Sequence, residues 1–98
     1  MSSKDGSTKP AGPAYAVPTS VLFRRVNDQM VLLNIQSEQY YGLDDVGADI
    51  VTRITADPLA DALTTLSTDY GVGRDVLDRD VATLVDSLLV AGLLVRVA

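Results

Sequence analysis

Residues Glu38–Gly47 read EQYYGLDDVG, and the fold turns on the change of pattern inside that stretch. Upstream of the change, VLFRRV (Val21–Val26), MVLLNI (Met30–Ile35) and QYYGL (Gln39–Leu43) are short runs rich in β-branched, aliphatic and aromatic residues, the composition of strands. The separating NDQ and QSE are far too short for a crossover, so the three strands pair antiparallel as a meander. Downstream, the apolar period lengthens to that of a helix. Asp44 suits the N-cap of DVGADIVTRI, in which Val46, Ile50, Val51 and Ile54 recur at helical spacing. Asp57-Pro58 ends this helix and starts the next, with Pro58 in the first helical position, and PLADALTTLSTDY is expected to bury Leu59, Leu63, Leu66 and Tyr70. GVG (Gly71–Gly73) reads as a stop and turn, a third helix runs from about Arg74 to Ala91 and halts at Gly92, and LLVRV trails as a short final strand. The expected fold is α+β, a three-stranded antiparallel sheet followed by three helices in segregated layers.

Composition bounds what such a domain does. Ninety-eight residues make one domain with a modest core and little room for a catalytic cleft. Residues 1–18 hold three of the four Pro and two of the seven Gly and few apolar residues, so they are expected to form a flexible tail ahead of a folded domain at 19–98. The tail carries Lys4 and Lys9 against Asp5, a net of +1, whereas the rest has six Arg against twelve acids, a net of −6. That balance argues against a polyanionic partner. No apolar run is long enough for a membrane span, and MSSKDGSTKPAGPAYAVPTS lacks the apolar core of a signal peptide. With no Cys the chain needs no oxidising compartment, and the cytoplasm is the expected location.

The inventory of reactive groups is thin. His is absent, which removes the commonest general base and metal ligand, and without Cys a zinc site has no ligands of its usual type. DRD at Asp78–Asp80 puts two carboxylates two residues apart, which do not face each other on a helix. No glycine pattern matches a dinucleotide fingerprint or a phosphate loop. No enzyme activity, cofactor or metal is expected.

Binding is a different matter. In a three-strand meander the third strand has one partner, and its other edge shows unpaired N–H and C=O groups that proteins usually blunt with Lys, Pro or a bulge. Gln39, Tyr40, Tyr41, Gly42 and Leu43 supply neither Lys nor Pro. Tyr40 and Gly42 point to one face and Tyr41 and Leu43 to the other, so one ring packs inward while the other borders a surface cleft. On the third helix Leu77, Val81, Leu84, Leu88 and Ala91 fall within a narrow arc, the core stripe, with Asp78, Ala82, Val85 and Leu89 on one flank and Val76 on the other. The apolar sector is wider than one contact needs. It fits a helix sandwiched between sheet and helix, or one whose Asp78, Ala82, Val85 and Leu89 flank lines a groove. An open strand edge beside an apolar helix flank is what an incoming extended peptide requires. The alternative is that the N-terminal tail or LLVRV covers the edge.

The run VLLNIQSEQYYGLDDVGADIVTRI, followed by two helices and AGLLV, closely resembles the PqqD-like family, the recognition elements for precursors of ribosomally synthesised, modified peptides. It is similar to the stand-alone members that serve lasso peptide biosynthesis. The likeness covers about Val21 to Val97 and is specific in the Asn34–Ile50 block; family members often carry Trp where this chain has Val51. The resemblance implies a small winged-helix-like domain without catalytic role, which binds a precursor's leader as an extra antiparallel strand between the third strand and the third helix. Carried onto this chain, the strand is Gln39–Leu43 and the helix flank is Asp78, Ala82, Val85 and Leu89, with Val81 at the groove floor. It also implies two enzyme partners, a transglutaminase-like cysteine protease that cuts the leader and an ATP-dependent cyclase that closes the ring. A pyrroloquinoline quinone or radical-enzyme pathway would use a similar element. Winged-helix DNA binding is countered by the third helix, which carries Arg74 and Arg79 against Asp75, Asp78, Asp80 and Asp86. Dimerisation through paired open edges is the remaining competitor. YAVP at Tyr15–Pro18 matches the Tyr-x-x-Pro motif common in lasso leaders; it reads as coincidence in a linker, with the alternative that the tail folds back into the groove.

Overall fold

A computed structural model describes residues 12–97. The elements run β1 (Tyr15–Ala16), β2 (Val21–Val26), β3 (Gln29–Asn34), β4 (Tyr40–Leu43), α1 (Asp45–Ala56), α2 (Leu59–Tyr70), α3 (Arg74–Val90) and β5 (Val95–Arg96). The antiparallel sheet has the order β2-β3-β4, and the three helices follow it as expected. Asn27 makes the tight β2–β3 turn at φ 57, a left-handed conformation that Asn tolerates. In the ladder Phe23 faces Leu32, which faces Tyr41, and Met30 faces Leu43, so these residues share the face turned to the helices. Leu32 and Leu43 are buried there with Val51, Ile54, Leu66 and Leu88. Val51 is wholly enclosed in this core.

The sequence reading holds at most helix ends and fails at a few positions. Asp44 caps α1 as expected, its carboxylate accepting from Gly47 N at 2.7 Å. Gly71 closes α2 at φ 63, and Gly92 follows α3 at φ 73, with Leu93 N donating back to Leu88 O at 2.9 Å. Pro58 is the N-cap of α2 and not its first helical residue. Tyr70, expected in the core, is 39% exposed and lies over α1, its hydroxyl donating to Asp49. Val46 stands on the exposed side of the first turn of α1.

A second small sheet joins the ends of the described chain. Tyr15 pairs with Arg96 and Ala16 with Val95, antiparallel, so LLVRV does end in a strand. The expected tail, residues 1–18, therefore meets the structure in two parts. Residues 1–11 lie outside the described residues. Within 12–18, Tyr15 is buried against the core, with the Arg96 guanidinium 5.5 Å from its ring centroid and Arg96 Nη1 donating to its hydroxyl at 3.3 Å. Neither YAVP nor LLVRV lies on β4; both are engaged with each other.

Candidate functional site

β4 pairs with β3 alone, and among the described residues nothing is bonded to its other edge. Asn34 N donates to Gln39 O at 2.8 Å, which sets the phase of the ladder. By the alternation of antiparallel pairs, the backbone groups of Tyr41 and Leu43 turn toward β3, and those of Tyr40 and Gly42 turn outward to the open edge. Gln39 itself sits just before the strand. Tyr40 is 71% exposed on the outer face, while Tyr41, at 36%, leans over the helix side of the edge and Leu43 is buried. Gly42 is not bare. A Cβ there would collide with the Gln29 side-chain amide, so the glycine makes room for a long polar side chain that crosses the strand.

Beneath the edge lies a hollow of about 490 Å³, lined by Tyr41, Gly42 and Leu43 with Gln29, by Asp44, Val46, Gly47 and Ile50 of the β4–α1 corner, and by Leu84 of α3. A second hollow of about 220 Å³ shares Val46 and Ile50 and continues along Leu77 and Asp80 of α3 to Leu66, Tyr70 and Val72. The two adjoin at Val46 and Ile50: the first lies between β4, the start of α1 and Leu84 of α3, and the second between α1, α2 and α3. Their rim is acidic, from Asp44 and Asp80 in the lining and from Asp49, which accepts a hydrogen bond from the Tyr70 hydroxyl. That bond, then desolvation and the negative charges of Asp49, Asp45 and Asp69, hold the phenol above its usual range.

The helix flank is where the sequence-derived residues part company. Asp78, Val81, Ala82 and Val85 line a separate cavity of about 270 Å³ together with Tyr15, Leu59 and Leu63. Leu89 lines none of these hollows and packs half-buried on the core. At roughly 100° per residue, Leu84 lies about 100° from Val85 and about 160° from Ala82. The structure thus brings Tyr41, Gly42 and Leu43 together with Leu84, places Leu77 and Asp80 on the adjoining hollow, and leaves Asp78, Ala82 and Val85 on a third. Leu84 was read as core, yet it is half-buried, whereas the supposed groove residue Val85 is buried. Also missed were Gln29 and the α1 residues Val46 and Ile50, which the sequence reading had placed in the apolar stripe of that helix.

The groove is held at both ends. At one, β4 runs directly into capped α1. At the other stands Asn34, whose Oδ1 accepts from Gln36 N at 2.9 Å and Ser37 N at 3.2 Å, shaping the turn into β4. Its Nδ2 donates to Gly92 O at 3.2 Å, just beyond the end of α3. One side chain therefore ties the start of the edge strand to the end of the helix opposite.

Among the described residues no cluster of three or more acidic, His or Cys side chains could hold a metal ion, and no helix is long and apolar enough to cross a membrane. The model of the family described as coenzyme PQQ synthesis protein D (PqqD) matches residues 29–94. No curated protein matches the chain in sequence. Among solved structures, TbiB1 in complex with the TbiA(beta) leader peptide aligns with a TM-score of 0.74 and 26% identity, over 85% of this chain and 98% of that one. Lasso peptide synthetase B1 complexed with the leader peptide aligns with a TM-score of 0.71 and 31% identity, over 84% of this chain and 98% of that one.

Proposed function

The chain belongs to the PqqD family, and from that premise we propose that it binds the leader segment of a ribosomally made precursor peptide and performs no chemistry itself. The observation that carries the reading is the unpaired edge of β4 beside a hollow lined by Tyr41, Leu43, Val46, Ile50 and Leu84 together with the polar Gln29 and Asp44. An extended segment added there finds the outward N–H and C=O groups of Tyr40 and Gly42 for main-chain hydrogen bonds, each worth about 0.5–1.5 kcal/mol net. Its alternate side chains drop toward Leu84, Ile50 and Val46, where burial supplies the larger share. Both solved neighbours carry a leader peptide, which supports the same reading for a chain of this fold.

The peptide-binding residues in this proposal are Gln39 to Leu43 on the strand side and Leu77, Asp80 and Leu84 on the helix side. The Asp78, Ala82 and Val85 flank is set aside because it faces another cavity. The recognition domain of this proposal spans 19–98, and of the stretch ahead of it the described residues 12–18 are anchored through Tyr15. Its working partners are a leader protease of the transglutaminase-like cysteine type and an ATP-dependent cyclase in the cytoplasm, to which it hands a bound substrate.

Fluorescence polarisation with a labelled leader peptide of the cognate lasso precursor tests the proposal. Dissociation constants in the submicromolar to micromolar range are expected. Absence of binding across overlapping fragments of that leader would sink it.

A further inference from the structure

The hollow beside β4 is lined mostly by apolar side chains, with Gln29 and Asp44 as polar exceptions. Both stand at one end of it. Met30 pairs with Leu43, so the ladder sets Gln29 opposite Asp44, just past the end of β4 and on the side of the sheet that Gly42 shares. Gln29 does not stay on its own rung. Its side chain runs diagonally to Gly42, where a Cβ would stand 2.9 Å from Gln29 Cδ, 3.3 Å from Oε1 and closer still to Nε2. The carboxamide therefore fills the space that a side chain at position 42 would take. Gln29 is exposed, so the donor and the acceptor of that amide are open to whatever pairs with the strand.

We infer that Gln29 is a specificity-determining residue: it selects the leader residue that pairs with Gly42, and favours there a short side chain that donates a hydrogen bond, Asn, Ser or Thr. The inference rests on the reading of β4 as a peptide-binding edge. In the ladder phase set by Asn34 and Gln39, Gly42 turns its N–H and C=O outward. An added antiparallel strand then places one residue directly across from it, exchanging both main-chain bonds with the two Cα atoms about 5.5 Å apart. Paired residues project to the same side of a sheet, so that leader side chain stands beside the Gln29 carboxamide. Three considerations narrow its chemistry. An apolar side chain would strip water from the amide and leave its donor and acceptor unmatched. An acidic one would meet the charge of Asp44, whose Oδ1 accepts from Gly47 N at 2.7 Å at the same end of the hollow. A long one finds the space over Gly42 already taken by the amide. A short donor satisfies Gln29 Oε1 and has the Asp44 carboxylate as a favourable neighbour. The main-chain bonds of a strand edge are blind to sequence, and a side-chain amide laid across that edge gives them a preference.

Gln29→Met keeps the length and shape of the side chain and removes both hydrogen-bonding ends. Parent and variant are each titrated by fluorescence polarisation with the cognate leader and with versions of it in which every residue in turn is replaced by Leu. Gln29→Met is expected to bind the unaltered leader about tenfold more weakly than the parent. One leader position, natively Asn, Ser or Thr, should stand out: Leu there weakens binding to the parent about tenfold and to Gln29→Met less than about twofold. Gln29→Glu supplies the converse, since a second carboxylate beside Asp44 should make it bind a leader with Lys at that position about fivefold more tightly than the parent does. A Gln29 that only props the strand would weaken every peptide alike, and that result overturns the inference. So does a Leu scan with the same profile for parent and Gln29→Met, or a coupled position that is natively apolar or acidic; each leaves leader binding itself intact. A parent protein that binds no fragment of the leader overturns both readings.

Discussion

The two flanks of α3 look alike in sequence and are used in opposite ways. On one, the buried Val81 and Val85 share a hollow with Tyr15, Leu59 and Leu63; on the other, the half-buried Leu84 shares a hollow with β4, and Leu77 and Asp80 line the adjoining one toward α1 and α2. The difference does not lie in the helix, since both flanks mix aliphatic residues with Asp. It lies in what the chain brings to each side. β1 reaches the first flank because β5 offers it a strand partner and Arg96 offers its Tyr15 a cation and a hydrogen bond. β4 stays back from the second because it is committed to β3 on one edge and is followed at once by α1. A closed flank is a stability element and an open one is a binding element, so substitutions on the two sides should fail differently.

The largest effect is expected at the closed flank. Val85→Asp places a carboxylate where only 3% of the residue's surface meets water, which should cost about 3–5 kcal/mol of stability. Chemical denaturation should show a much lower midpoint, or no folded state at all. A folded Val85→Asp protein that had lost only leader affinity would mean that this flank is the groove after all.

Leu84→Asp is its counterpart on the open flank. Leu84 is half-buried, so the new charge keeps much of its water and the fold should survive with a smaller loss of stability. A peptide side chain settling there would strip that water, and leader affinity should fall by about 30-fold, on the order of 2 kcal/mol. Gly42→Pro follows in size. It removes an N–H that the ladder phase turns outward, so the β3 pairing survives while the added strand loses one bond and its approach; roughly tenfold weaker binding is expected by polarisation. Circular dichroism matching the parent is the control in both cases, and tight leader binding by either variant would move the peptide off this edge.

How much of this was legible in the sequence follows from the kind of signal each feature leaves. The change from short runs to helical spacing around Asp44 determined the order of strands and helices, because it depends on local periodicity alone. The open edge was legible for the same reason: a third strand with Gly42 and two Tyr and no Lys or Pro is a local fact. The groove wall was not. Periodicity shows that α3 is apolar over a wide arc, but Leu84 and Val85 are equivalent until the helix is set against its neighbours, and that rotation is decided by long-range contacts with Tyr15 and Leu63. Tyr70 misled for a related reason, since its spacing continued the stripe of Leu59, Leu63 and Leu66, while its half-exposed ring and its bond to Asp49 depend on how α2 lies against α1.

The smallest expected effect is the most specific to the open side, and it concerns the width of the gap. Asn34 does two jobs with the two ends of its amide: Oδ1 shapes the turn that launches β4, and Nδ2 holds that turn to Gly92 at the end of α3. Asn34→Asp separates them. The carboxylate still accepts from Gln36 N and Ser37 N, so the turn persists, but it has no donor for the Gly92 carbonyl and sets two acceptors against each other. An exposed hydrogen bond of this kind is worth about 0.5–1 kcal/mol, so thermal stability should change little. If the bond fixes the spacing of β4 and α3, leader affinity should nonetheless drop about three- to fivefold through faster dissociation, and the amides of Tyr40–Leu43 should exchange with solvent faster in the unbound protein. Asn34→Ala, which loses the turn as well, should be worse on both counts. Equal leader affinity for Asn34→Asp and the parent would show that β4 and the α1 corner hold the groove open without help, and that the amide serves the turn alone.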